Sequence, residues 1–158
     1  MLEEITESGH KALIFSQWEQ VTSVYKEALK TYNPAYIVGA VDPEDRQKEV
    51  DRFQNDPTCK VAIGTIGAMG TGLTMTAASY VFFVDKRYWD AENKQAEDRA
   101  HRIGTTNTVN VVSLVATNTV DEGIEEMLRD NRALFDRVVE GKGSRVDMGE
   151  ILRKILQY

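Results

Sequence analysis

One cysteine, Cys59, stands in the whole chain, so no internal disulfide can form, and the composition suits a reducing, intracellular compartment. Only two histidines occur, His10 and His101, and no Cys/His cluster has zinc-ligand spacing. No apolar run reaches the length of a membrane span and there is no N-terminal signal pattern, so no membrane association is expected. Basic residues are outnumbered, 19 against 25, and a formal charge of −6 argues against coating nucleic acid by bulk electrostatics. Any nucleic-acid contact has to come from a local site. What is present, 42% apolar and 28% charged residues over 158 positions, is the make-up of one ordinary globular domain with room for a core.

Short apolar runs alternate with amphipathic stretches, the pattern of a parallel sheet covered by helices. Lys11–Phe15 reads as a buried strand, and Gln17–Tyr32 as a helix with Val21, Val24, Tyr25, Ala28 and Leu29 on its apolar stripe. Ala35–Val38 is a second strand. Asp42-Pro43-Glu44-Asp45 then supplies an N-cap, a proline at the first helical position and acids in the first turn of a helix that buries Val50 and Phe53. Lys60–Ile63 and Tyr80–Val84 are two more strands, with a glycine-rich segment and a short helix between them. A helix over 91–103 and a strand over 108–115 follow. Thr119-Val120-Asp121-Glu122 forms a capping box for a long helix through Val139, glycines 141 and 143 break it, and Asp147–Leu156 is a final amphipathic helix. The expected fold is a doubly wound α/β domain of roughly five strands, with its ligand site at the C-terminal strand edges.

The glycine-rich segment Gly64–Ala78 follows a strand, where backbone amides and a helix start can cradle phosphate. Gly67–Thr74 has the outline of a P-loop, but Leu73 stands where the phosphate-binding lysine must be, and an apolar side chain cannot neutralise a β- or γ-phosphate. A tight turn, in which glycines supply unusual backbone angles, explains the segment equally well. Gln95-Ala-Glu-Asp-Arg99-Ala-His-Arg102-Ile-Gly104 says more. Gln95, Arg99 and Arg102 fall at i, i+4 and i+7, so a continuous helix would project all three from one face. Two such planar, permanently charged groups suit the charge that develops on a transferring phosphoryl group. The plain alternative is a solvated helix face with an Asp98–Arg102 ion pair.

Taken in order, Lys11–Gln17, then Gly39–Gln47 with Phe53, the glycine segment, Asp85 and Gln95–Gly104 resemble helicase motifs IV, V and VI of the Swi/Snf-like superfamily-two ATPases. The resemblance runs from about His10 to Gly141. It implies a RecA-like parallel sheet flanked by helices, with additional C-terminal helices: a lobe over 1–141 and a terminal helix over 142–158 that packs on it or on the missing first lobe. It also implies that ATP with Mg2+ binds mainly on that first lobe, part of the same parent chain. Arg99 and Arg102 match the family's arginine fingers, and Gln95, Gly72 and Thr74 match residues against the nucleotide. Ser16, Gln17, Thr65 and Gly67 match segments lining the track for double-stranded or branched DNA, where small polar groups and amides contact phosphates.

Some residues depart from the family pattern. Thr74 stands where many chromatin remodellers have asparagine, Thr105 replaces the usual glutamine, and Tyr88-Trp89-Asp90-Ala91 only partly matches Trp-Asn-Pro. The compact loops resemble bacterial or phage members, which sets the expectation of a cytoplasmic protein. No Gly-x4-Gly-Lys-Ser/Thr and no strand-terminal Asp-Glu pair occurs, so the chain is expected to be half of a motor. Two other readings stand beside it: a nucleic-acid or protein binding module without turnover, and a Rossmann-like enzyme, which Gly70-Thr-Gly72 does not support because the third glycine is lacking. Trp18 and Trp89 are read as packing residues rather than base-stacking platforms, and Cys59 as a small strand-edge residue rather than a nucleophile.

Overall fold

The computed structural model describes residues 1–70, 73–87, 90–100 and 108–139. Its strands are β1 (Lys11–Ser16), β2 (Ala35–Ile37), β3 (Val61–Thr65), β4 (Ala78–Phe83) and β5 (Asn110–Ser113). All pairings are parallel and the strand order is β2-β3-β1-β4-β5. The helices are α1 (Leu2–Glu7), α2 (Glu19–Ala28), α3 (Pro43–Asn55), α4 (Ile66–Met69), α5 (Asp90–Glu97) and α6 (Val120–Val139). The chain leaves β1 toward β2 and β3 on one side, then crosses to β4 and β5 on the other. The switch point of the sheet therefore lies between β1 and β4, where crevices form in open α/β sheets.

The central strands are apolar without interruption because both faces of a parallel sheet are covered. Alternate residues feed two cores. Leu13, Phe15, Ala62, Val81 and Phe83 join Val50 and Phe53 of α3, Ile66 and Met69 of α4 and Ala96 of α5. Ala12, Ile14, Val61, Ile63 and Phe82 join Ile5 of α1, with Tyr25 and Leu29 against them. Phe15 and Phe83, partners in the β1–β4 register, stack with centroids 5.3 Å apart. Gly64 of β3 has no alternative residue: a Cβ there would lie 2.0 Å from the Ile37 carbonyl oxygen and 2.5 Å from Met69 Sδ.

Several expectations need correction. The helix expected over 91–103 stops at Glu97. Past that point the Arg99 and Ala100 amides bond three residues back, to Ala96 and Glu97, and the Arg99 carbonyl accepts the Met75 N–H at 3.0 Å. Val24, expected on the apolar stripe of α2, is 67% exposed, and Trp18, expected to pack, is 59% exposed. Asp42 takes the cap position of α3 without a side-chain cap bond, whereas the Thr119 hydroxyl does accept the Asp121 N–H at 3.2 Å before α6. The six-residue α1 was not anticipated. Trp89, the helix expected over Asp147–Leu156 and the division at 141/142 lie outside the described residues.

Candidate nucleotide and nucleic-acid edge

Because all five strands run the same way, their C-terminal ends share one edge, and most of the predicted site residues gather along it. Ser16 and Thr65 are register partners at the ends of β1 and β3. Ser16 is buried, and its hydroxyl donates to Asp85 Oδ2 at 2.5 Å while accepting the Trp18 N–H at 3.0 Å. Asp85 Oδ1 accepts the Gln17 N–H at 2.7 Å, and Gln17 Nε2 reaches the Lys86 carbonyl at 3.5 Å. One carboxylate thereby closes the switch point between β1 and β4. In the sequence, Asp85 stands as part of the motif series, with no role assigned to it.

The two residues after Asp85 fasten the same loop elsewhere. Lys86 pairs with Glu125 of α6 at 2.9 Å, with both side chains largely sheltered. Arg87 is held twice. Asn93 of α5, 1% exposed, accepts the Arg87 N–H at 3.0 Å and donates to the Arg87 carbonyl at 2.8 Å. The guanidinium Nη1 pairs with Glu92 at 2.7 Å. The hydrogen-bonded pairing of Asn93 with one residue's N–H and C=O imitates a strand partner and fixes the backbone that carries Arg87.

Thr65 sits at the N-terminal boundary of α4, half-buried. Gly67, the second residue of α4, faces Arg87: a Cβ there would lie 3.3 Å from Arg87 Nη2. Gly67, Gly70, Ile66, Arg87, Glu92 and the exposed Gln95 line a hollow of about 80 Å³. Gln95 therefore shares a surface with Gly67. It does not share a helix face with Arg99, because α5 has ended before that residue.

Arg99 lies instead against the far end of the glycine segment. Its Nη1 reaches the Leu73 carbonyl at 3.5 Å, its own carbonyl holds Met75, and its Nε is buried without a partner among the described residues. Thr74, between those two contacts, is half-buried. Leu73, the residue that breaks the P-loop pattern, packs against the main core. Gly72 and Arg102, the other predicted nucleotide-side residues, lie outside the described residues, as does the Asp98–Arg102 pair. Arg87, Glu92 and Asn93 were missed. The only signal for them in the sequence is their place between Asp85 and Gln95.

Cys59 is fully buried and burial pushes its thiol pKa up, which makes it a poor nucleophile. No helix among the described residues is long and apolar enough to cross a membrane.

A parallel sheet with a glycine segment and arginines at its C-terminal edge defines a RecA-like α/β lobe. The family model described as "Helicase conserved C-terminal domain" matches residues 1–104, and the chain belongs to that family. It is 35% identical over 167 residues to Protein CHROMATIN REMODELING 19 of Arabidopsis thaliana, an alignment covering 99% of this chain and 22% of that protein. It is 33% identical over 142 residues to Helicase SWR1 of Saccharomyces cerevisiae, covering 89% of this chain and 9% of that protein. The solved C-terminal part of the Fun30 ATPase domain superposes with a TM-score of 0.73 at 30% identity, over 78% of this chain and 41% of that one. The chain thus spans about a fifth or less of these two curated relatives. Their plant and fungal origin lends no support to the bacterial or phage expectation.

Proposed function

We propose that this chain is the second motor lobe of a DNA-dependent ATPase of the Swi/Snf type, acting with a first lobe in the same parent chain. The observation that carries this reading is the separation of two clusters along one strand edge. Ser16, Gln17, Thr65 and Gly67 gather at the ends of β1 and β3, and Arg99 lies beside Thr74 at the far end of the glycine segment. In this reading the first cluster meets DNA phosphates. Gln17 and the amides around Thr65 and Gly67 make the contacts, while buried Ser16 fixes the turn. The relatives' names favour duplex DNA, free or in chromatin, as the substrate; branched DNA is a further candidate.

ATP with Mg2+ is the cofactor the family implies, and Arg99 fits a phosphate-bearing group. Its guanidinium is held by a long contact to Leu73 and keeps a buried Nε donor unspent among the described residues. Arg99, with Arg102 as its companion, would stabilise charge on the phosphoryl oxygens, and Thr74 would help seat the nucleotide, whereas Gln95, matched to the nucleotide side by resemblance, lies with Gly67. Bound ATP supplies the phosphoryl transfer that powers such a motor. Magnesium and the β- and γ-phosphates fall to the first lobe, since this chain has neither a P-loop lysine nor an acidic pair.

The test is Arg99→Ala in the intact motor. DNA-stimulated phosphate release should fall about 10³-fold or more, and Arg99→Lys should rescue poorly, because a point charge cannot reproduce the guanidinium fork. Near-normal turnover in Arg99→Ala removes that residue from the finger role. The 158-residue chain by itself should release no phosphate, with or without DNA; sustained hydrolysis by it would overturn the half-motor reading.

A further inference from the structure

One cation near the strand edge is committed elsewhere. Lys86 is spent on Glu125, and the chain as a whole is acidic. Arg87 is different in how it is held. Its backbone is clamped through both polar groups by a buried asparagine, so the residue has a fixed origin. Its Nη1 is taken by Glu92, which fixes the rotation of the guanidinium plane. The opposite side of the group is directed across Gly67, where Nη2 approaches closely enough that any side chain at position 67 would crowd it. The side chain remains 35% exposed, and it borders the hollow it shares with Gly67, Gly70 and Gln95. Its Nε is buried without an acceptor among the described residues, an unfavourable state when no group answers it.

A surface ion pair alone explains little of this, because exposed pairs contribute little stability and do not require a buried clamp. A carboxylate that holds one side of a guanidinium while the other faces a glycine opening is an arrangement for presenting donors. The rotamer entropy of the arginine is spent before any ligand arrives. The ligand must be anionic and must approach over Gly67.

We propose that Arg87 is a phosphate-binding residue for the DNA backbone, pre-oriented by Asn93 and Glu92 above Gly67. This rests on the DNA-track reading of Thr65 and Gly67 given above. Arg87 adds the permanent positive charge that those two uncharged residues cannot supply. Such a contact positions the duplex without reading its sequence.

The experiment measures binding of the intact motor and its Arg87→Ala and Arg87→Lys variants to two unrelated duplexes across a salt series. One phosphate contact contributes about 0.9 to the slope of log affinity against log salt. Arg87→Ala should flatten the slope by about that amount and lose about eightfold in affinity at 0.1 M relative to 1 M salt, equally on both duplexes. Arg87→Lys should keep the slope, since a point charge still meets a phosphate. A melting curve identifies loss of fold, and if Arg87→Ala fails to fold, Arg87→Gln replaces it in the same series. Wild-type binding with an unchanged slope in the neutral variant overturns the Arg87 assignment and leaves the DNA-track reading standing. No salt-dependent binding by wild type overturns both.

Discussion

Removing the Asp85 carboxylate should loosen the switch point between β1 and β4 enough to be measured as stability. Asp85→Ala deletes the acceptor of two hydrogen bonds, from Ser16 Oγ at 2.5 Å and from the Gln17 N–H at 2.7 Å. Hydrogen bonds to a charged group contribute about 1.5–3 kcal/mol each. Asp85 is only half-buried, so the lower end applies and the pair amounts to about 3 kcal/mol. The cost of leaving the Ser16 hydroxyl, 1% exposed, without its acceptor is part of that figure rather than an addition to it. For a domain of this size the melting temperature should drop by about 6–12 °C. Urea unfolding of wild type, Asp85→Ala, Ser16→Ala and the double variant gives the coupling directly, with about 1–1.5 kcal/mol expected between the two side chains. A loss below about 0.5 kcal/mol with additive single effects would show that this carboxylate does not hold the two strand ends together.

Gly64→Ala should cost more than about 3 kcal/mol, because the new methyl meets the Ile37 backbone carbonyl as well as the Met69 side chain; soluble yield and melting temperature test it, and a variant melting within 2–3 °C of wild type, roughly, would refute the close approach. Glu49 gives a pH dependence. Burial pushes its carboxyl up, but hydrogen bonds from Arg52 and the Tyr36 amide, with the charges of Arg52 and Lys26, outweigh that and hold it below its ordinary 4.5. A depressed acid contributes stability that is fully present above 4.5 and lost as pH falls through the folded value. Glu49→Gln should therefore lower stability at neutral pH and flatten the decline on the acid side, read as urea midpoints from pH 7 down to about 3; parallel curves for the two proteins would contradict it.

The sheet could be read from the sequence because a parallel strand needs apolar residues on both faces, and runs such as Ala12–Phe15 and Val81–Phe83 have few other uses. Edge elements were less legible. Val24 completes a helical period yet stands in solvent, since periodicity reports that a stripe exists and not how wide the sheet beneath it is. The arginine segment shows a different limit. No local sequence signal marks the end of the helix at Glu97, and the Arg99 carbonyl beyond it meets the Met75 N–H from over twenty residues earlier; long-range hydrogen bonds leave no periodic trace. Resemblance placed Ser16, Gln17, Thr65 and Gly67 in one region, and the parallel register explains why they meet. It could not supply Arg87, whose significance depends on an asparagine six residues on and a glycine twenty residues back.

Asp85, Lys86 and Arg87 are consecutive, and each is tied to a different neighbour: the end of β1, α6 and α5. Successive Cα atoms are about 3.8 Å apart, so one inserted or deleted residue would carry at least two of these attachments past their partners at once. The identity of each residue can change at a moderate cost, but their number cannot. In directed evolution or loop grafting, the three positions Asp85, Lys86 and Arg87 should accept single substitutions far more readily than an insertion or deletion among them.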